Sequence, residues 1–187
     1  MRRRASLLLL VAALLTVSSS GSAVARGRNV SPKAYVHAIC TSVVAWVKDV
    51  SSASKTFEDG VKSASTLDEA KAVLVTFLDT AVDLTKTVVG RIDNAGLPKA
   101  KDGGKVASSF KKVFVAIRDA FVAADHDSAA LGTDDPAAFA TATKKIGKTL
   151  TRETKRAVKL FTGLNGKINT DEVDAAEHRD SACRPLD

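Results

Sequence analysis

Aromatic residues make up only 5% of this 187-residue chain, which has one Trp, one Tyr, one Met and two Cys. A core must therefore be built mainly from Ala, Val, Leu and the seven Phe. No stretch shows the sustained period-two alternation that a half-buried strand needs, which disfavours a β architecture. No internal repeat points to a solenoid. Enzyme signatures are missing as well: there is no G-x-S-x-G elbow, no phosphate loop and no H-E-x-x-H. These absences favour a protein that is not an enzyme. What is plentiful is apolar and charged, at 45% hydrophobic and 26% charged residues, the composition of one globular domain and not of a disordered polymer.

The first 25 residues read as a secretory signal peptide. Arg2, Arg3 and Arg4 precede the apolar run Leu7 to Val17, and Ala23-Val24-Ala25 supplies a small-residue cleavage pattern. That run is far shorter than the roughly 20 residues of a membrane-spanning helix, and no later stretch is apolar enough to span. The first cysteine is Cys40, too far downstream to accept a lipid. Ser6 stands where a twin-arginine signal prefers an apolar residue, so general secretion is expected. The expected layout is a signal peptide over 1–25, a flexible mature start over 26–31 and a helical-bundle domain over 32–187. Losing the signal leaves 25 basic and 21 acidic side chains, and 25 − 21 = +4.

Helical periodicity dominates the rest. Val36, Cys40, Val43, Val47, Val50, Ser54, Phe57 and Val61 alternate steps of four and three, predicting a first helix over Pro32 to Ser63 with Ser31 as its cap. Pro32 suits the first turn, where its missing N–H has no intrahelical role. A Thr66-x-x-Glu69 capping box opens a second helix with Leu67, Ala70, Leu74, Phe77, Ala81, Leu84 and Val88 inward, stopping near Asn94-Ala95-Gly96. After the turn Lys101-Asp102-Gly103-Gly104, a third helix carries Val106, Phe110, Val113, Ile117, Phe121 and Ala124 and ends around Leu131-Gly132. Asp135-Pro136 starts a fourth, with Phe139, Ala142, Ile146, Leu150, Ala157, Leu160 and Leu164 inward and Gly163 and Gly166 marking its end. A short fifth helix, capped by Asn169 or Thr170, is expected to reach Ala182. The fold class is all-α, an up-and-down four-helix bundle with a short C-terminal helix.

Cys40 and Cys183 have two readings. In an exported protein two thiols oxidise to each other, joining positions 143 apart and pinning the tail to the first helix. Alternatively His37-x-x-Cys40 together with His178 and Cys183 forms a two-Cys, two-His zinc site, although the gap from His178 to Cys183 suits a helix poorly. Export and the thiol count favour the disulfide, and no cofactor is implied. Asn165-Gly166-Lys167-Ile168 with Glu172 matches half of a calcium loop, but Phe161 and Gly163 offer no side-chain oxygen for the other half. Asp125-x-Asp127 fails in the same way at Ser128-Ala129-Ala130. Gly103-Gly104-Lys105 offers backbone amides to a phosphate, yet an interhelical turn explains it more simply. Asp79 and Asp83, with Lys86 a turn later, read as a solvated face, as does His126 between Asp125 and Asp127.

One surface signal rises above this background. Lys144, Lys145, Lys148, Arg152, Lys155, Arg156 and Lys159 form a basic stripe on the fourth helix with Glu153 the single acid nearby. Its expected partners are anionic cell-wall polymers, lipid headgroups or an envelope protein. No aromatic interleaves with these cations, so specific nucleic-acid binding lacks a stacking platform. The expected function is an envelope interaction module. An alternative is a carrier or sensor holding an apolar small molecule between helices, near Ala81, Ala124, Ala142 and Ala157 beside Phe77, Phe110 and Phe121.

Tyr35-Val36-x-Ala38-x-Cys40, Ala70-Lys71-Ala72-x-Leu74-Val75-x-Phe77-Leu78, Thr133-Asp134-Asp135-Pro136-x-Ala138-Phe139 and Ala182-Cys183-x-x-Leu186 together resemble uncharacterised small secreted helical-bundle proteins of actinobacteria. The resemblance spans residues 33 to 187. It implies a helical bundle outside the cytoplasm and supplies no catalytic residue.

Overall fold

In a computed structural model the chain is described over residues 27–162 and 168–186. The expected signal peptide, the stop at Gly163 and Gly166, Leu164 and most of the half calcium loop lie outside the described residues. Four long helices follow one another: α1 (Pro32–Ser63), α2 (Leu67–Asn94), α3 (Gly103–Ala129) and α4 (Pro136–Thr162). The short α5 (Asp171–Glu177) and a single 3₁₀ turn over Arg184–Leu186 complete the fold.

Local chemistry sets the helix starts. Ser31 Oγ accepts the Ala34 amide, with Pro32 in the first turn of α1. At α2, Thr66 Oγ1 accepts from the Glu69 amide while the Glu69 carboxylate accepts from the Thr66 amide. Asp135 Oδ1 accepts from Ala137 and Ala138 at the head of α4. The start of α3 is different: Asp102 lies in the left-handed region at φ 60° and makes no capping bond. Asp and Asn tolerate that region better than most side chains.

The first described residues are not loose. β1 (Asn29–Val30) pairs in parallel with β2 (Leu97–Pro98), which follows α2. Leu97 N–H donates to Arg28 and Lys99 N–H to Val30. Gly96, at φ +87°, makes this possible, because a Cβ there would strike the Arg28 carbonyl. Gly103 is held by the same logic against the Pro98 carbonyl.

Consecutive helices pack on each other, α1 on α2, α2 on α3 and α3 on α4, as short links between antiparallel neighbours require. The ring is not closed, because α1 packs on α5 and makes at most marginal contact with α4. Two hydrophobic clusters result. One joins Leu78 and Ala81 of α2, Ile117 and Phe121 of α3, and Phe139, Ile146 and Ala157 of α4. The other joins Tyr35, Val36, Ile39 and Cys40 of α1, Val88 and Ile92 of α2, Val106 and Phe114 of α3, and Cys183. Trp46 packs on both. Its indole N–H donates to Thr85 Oγ1 at 3.1 Å, and that fully buried hydroxyl donates to the Ala81 carbonyl at 2.7 Å.

The open ring corrects three inward assignments. Val47, Val61 and Leu160 are exposed, Leu160 at 53%, since neither α1's second half nor α4's end has a helix to cover that side. α5 is also shorter than expected. It ends at Glu177, and the chain then turns so that Asp180 and Cys183 reach α1.

Candidate functional site

α4 separates its side chains sharply. Phe139, Ile146 and Ala157 are buried against α3, whereas all seven cations from Lys144 to Lys159 are exposed. At 3.6 residues per turn the seven fall within an arc of about 120° opposite the buried stripe and extend about 22 Å along the helix. The structure thus brings the whole sequence-predicted set onto one face. Arg152 Nε and Arg156 Nη1 each donate to Glu153 Oε1 at 2.9 Å. The bonds from Arg152 and then Arg156 hold the Glu153 carboxyl below the usual glutamate range. Lys144, Lys145, Lys148 and Lys155 pair with no carboxylate among the described residues.

This arrangement costs stability. Lys144 and Lys148, Lys148 and Arg152, Arg152 and Arg156, and Lys155 and Lys159 are like-charge neighbours at i and i+4, each destabilising by about 0.2–0.5 kcal/mol. A purely solubilising face would relieve this by alternating Glu with Lys. Gly147 adds to the cost, roughly 1 kcal/mol against Ala in a helix interior. Beyond the local helix backbone and its two chain neighbours, nothing lies within 4 Å of the place its Cβ would take. There the surface dips into a shallow, open depression of about 570 Å³ between Lys144, Lys148, Thr151, Arg152 and Lys155. Thr151 turns its hydroxyl back to the Gly147 carbonyl, which leaves the cations to define the rim.

The charge is also concentrated. α4 carries seven basic residues and one acid, 7 − 1 = +6, while residues 26–187 as a whole carry +4, so everything outside α4 sums to 4 − 6 = −2.

Near the start of α1 Cys40 and Cys183 form a disulfide with Cα atoms 4.9 Å apart. Both sulfurs are consumed, so the zinc alternative has lost its thiolates. His37 instead lies with Nδ1 3.1 Å from Asp180 Oδ2. Asp180 is nearly inaccessible at its side chain, 6% exposed. Its carboxyl is pulled below the ordinary aspartate range by the Ala182 amide and, more weakly, by His37. The tail is moored again where Asp102 Oδ2 accepts the Asn169 amide at 3.0 Å. Lys105 pairs with the other Asp102 oxygen, and it, followed by the Asn169 amide, lowers the Asp102 carboxyl.

Other sequence candidates are placed apart. Gly103 and Lys105 spend their amides on the Ala100 and Asp102 carbonyls, which supports a turn and not a phosphate cradle. Asp79 and Asp83 are exposed, with Lys86 on Asp83, and His126 pairs with its neighbour Asp127. Among the described residues no three His, Cys, Asp or Glu side chains converge as a metal site, and no helix is long and apolar enough to cross a membrane. Ala81, Ala124, Ala157 and Phe121 are packed into the core, while Phe110 of that set lines an apolar cavity between α1, α3 and α5 that Val158 of α4 and Leu186 also border. That cavity had no sequence signal. The Asp180–His37 pair did have one: Asp180-x-x-Cys183 repeats the spacing of His37-x-x-Cys40. Comparison with protein-family models, curated proteins and solved structures gives no significant match.

Proposed function

We propose that this protein is a secreted, non-enzymatic module of the cell envelope that binds an anionic cell-wall polymer through the outer face of α4. The observation that carries the reading is the self-repelling row of cations, four of them without a carboxylate partner among the described residues, on a helix whose charge exceeds that of the remaining chain. Neighbouring charges one helical turn apart lie within the Debye length of about 8 Å at physiological salt, so they act on a polyanion together. A flexible polymer of regularly spaced phosphates matches a straight cationic row about 22 Å long and needs no deep pocket. The Cys40–Cys183 disulfide is compatible with an extracytoplasmic location.

The test is retention on immobilised teichoic acid. Wild type should be retained at low salt and released as salt rises. Replacing Lys144, Lys148, Arg152 and Lys155 together by Gln should lower retention at least tenfold with the helical spectrum intact. Unchanged retention of that variant would remove the proposal. Retention only on anionic vesicles would move the partner to a lipid headgroup, and capture only with an envelope protein would replace the polymer altogether.

A further inference from the structure

The residues lining the depression on α4 fall into two neighbouring rows at i, i+4 spacing, the ridges of which a helix surface is built. One row, Lys144, Lys148, Arg152 and Arg156, is cationic throughout. The other, Gly147, Thr151, Lys155 and Lys159, begins with a residue that has no side chain and then a short one. The second ridge is therefore missing at its start. What remains is a notch floored by the Gly147 backbone, bordered along one side by Lys144, Lys148 and Arg152 and closed at one end by Lys155. Thr151 donates its hydroxyl hydrogen to the Gly147 carbonyl at 2.8 Å, so that hydroxyl is not a donor for an anion. Packing does not call for glycine here, because beyond the local helix nothing lies within 4 Å of an added Cβ. A turn does not call for it either, since the position is interior to α4. Helix propensity opposes it.

We propose that this notch seats a phosphodiester in the backbone of the anionic polymer, an inference that rests on the reading of α4 as a polymer-binding face. A charge carried in a polymer backbone is flanked on both sides by the chain, so it comes close to the helix only where no side chain stands in the way. A charge at the tip of a side branch, as in a polymer of glutamate, reaches exposed Lys and Arg anywhere along the row. A phosphodiester also spreads its charge over two diverging oxygens, which Lys144 and Lys148 can engage together with the Arg152 guanidinium. Arg152 meets Glu153 through Nε, which leaves its terminal nitrogens for the ligand. Gly147 is thus the specificity-determining position: it adds no charge and selects the kind of polyanion that fits.

The test fills the notch without changing charge. Gly147→Leu should raise the melting temperature, since Leu suits a helix interior better than Gly, and yet lower affinity for soluble glycerol-phosphate teichoic acid at least about tenfold. Gly147→Ala should fall between wild type and Gly147→Leu. Affinity of both variants for poly-glutamate should stay within about twofold of wild type. Gly90→Leu is the control, because Gly90 is also exposed, lies inside α2 and has nothing beyond its local helix within 4 Å of an added Cβ. It should raise the melting temperature and leave both affinities unchanged. The notch is overturned if Gly147→Leu binds teichoic acid like wild type, loses both polymers by the same factor, or is matched by Gly90→Leu. Those results leave the α4 reading standing wherever the variant with Gln at Lys144, Lys148, Arg152 and Lys155 still loses retention. Wild type that binds neither polymer removes that reading and the notch with it.

Discussion

The two hydrophobic clusters of this bundle are secured by different means. Around Leu78, Ile117, Phe121 and Ile146 packing is joined by two side-chain hydrogen bonds from the start of α2 to the α3–α4 link, Lys71 Nζ to the Leu131 carbonyl and Thr133 Oγ1 to Asp68. Around Tyr35, Ile39, Val88 and Phe114 packing is supplemented by a disulfide, the His37–Asp180 pair, the β1–β2 bridge and the Asp102 mooring. The supplements occur where α1 packs on the short α5 and not on a fourth long helix. There a short helix and a turning tail bury too little surface to hold themselves in place, and ordering each residue costs about 1–2 kcal/mol of backbone entropy. The lesson is a division of labour. Covalent and polar ties close the α1 end, so α4 need bind only α3 and keeps its opposite face free for cations.

The largest effect should come from removing the covalent tie. Cys40→Ser with Cys183→Ser, or reduction of the wild type, should lower unfolding free energy by about 2–5 kcal/mol, roughly 5 being the chain-entropy value for so long a loop. Amide exchange should rise first in α5, residues 178–186 and the opening turns of α1. Amides of α2 and α3 around Leu78 and Ile117 should stay protected longest. Uniform loss of protection would erase the proposed contrast between the ends.

A smaller effect is expected at the waist, where Trp46 touches both clusters. Thr85→Val keeps the volume but strips the indole N–H of its acceptor and should cost about 1–3 kcal/mol in a urea melt. Thr85→Ser should cost less, since the hydroxyl remains. If the two variants were equal, the Trp46–Thr85 bond would contribute nothing and the waist would be a matter of packing.

The smallest effect concerns acid. The folded Asp180 carboxyl titrates below its unfolded value of about 3.9 because the Ala182 amide and His37 stabilise its charged form. A lowered folded pKa contributes stability that is present above the unfolded value and lost as pH falls through the folded one. Melting temperature should therefore drop below about pH 4 more steeply in wild type than in Asp180→Asn, which has no such carboxyl to protonate. Identical acid profiles would show that the pair does not hold the tail.

Much of the fold could be read from caps. Ser31-Pro32, Thr66 with Glu69, and Asp135-Pro136 are local chemical events, and the starts they mark agree with the structure. The pairing of Cys40 with Cys183 followed from there being two thiols. Neighbour choice was harder to read. Steps of three and four identify an apolar face but not which helix covers it, so Val47, Val61 and Leu160 were assigned inward while the open ring leaves them in solvent. The end of α5 was misplaced because long-range ties from Asp180 and Cys183 to α1 overrode local helix preference. The α4 cations were visible from composition and period together, since a row on one helix depends on no distant contact.

The account rests most heavily on the outer face of α4, and a matched-charge comparison tests it directly. One variant carries Gln at Lys144, Lys148, Arg152 and Lys155, and the other carries Gln at Lys48, Lys55, Lys99 and Lys112, which are exposed and scattered over α1, the β2 link and α3. Binding to soluble teichoic acid is followed across a salt series. The first variant should lose at least tenfold in affinity and most of its salt dependence, while the second stays within about threefold of wild type. Equal losses in the two would mean that net charge, and not the α4 row, governs binding.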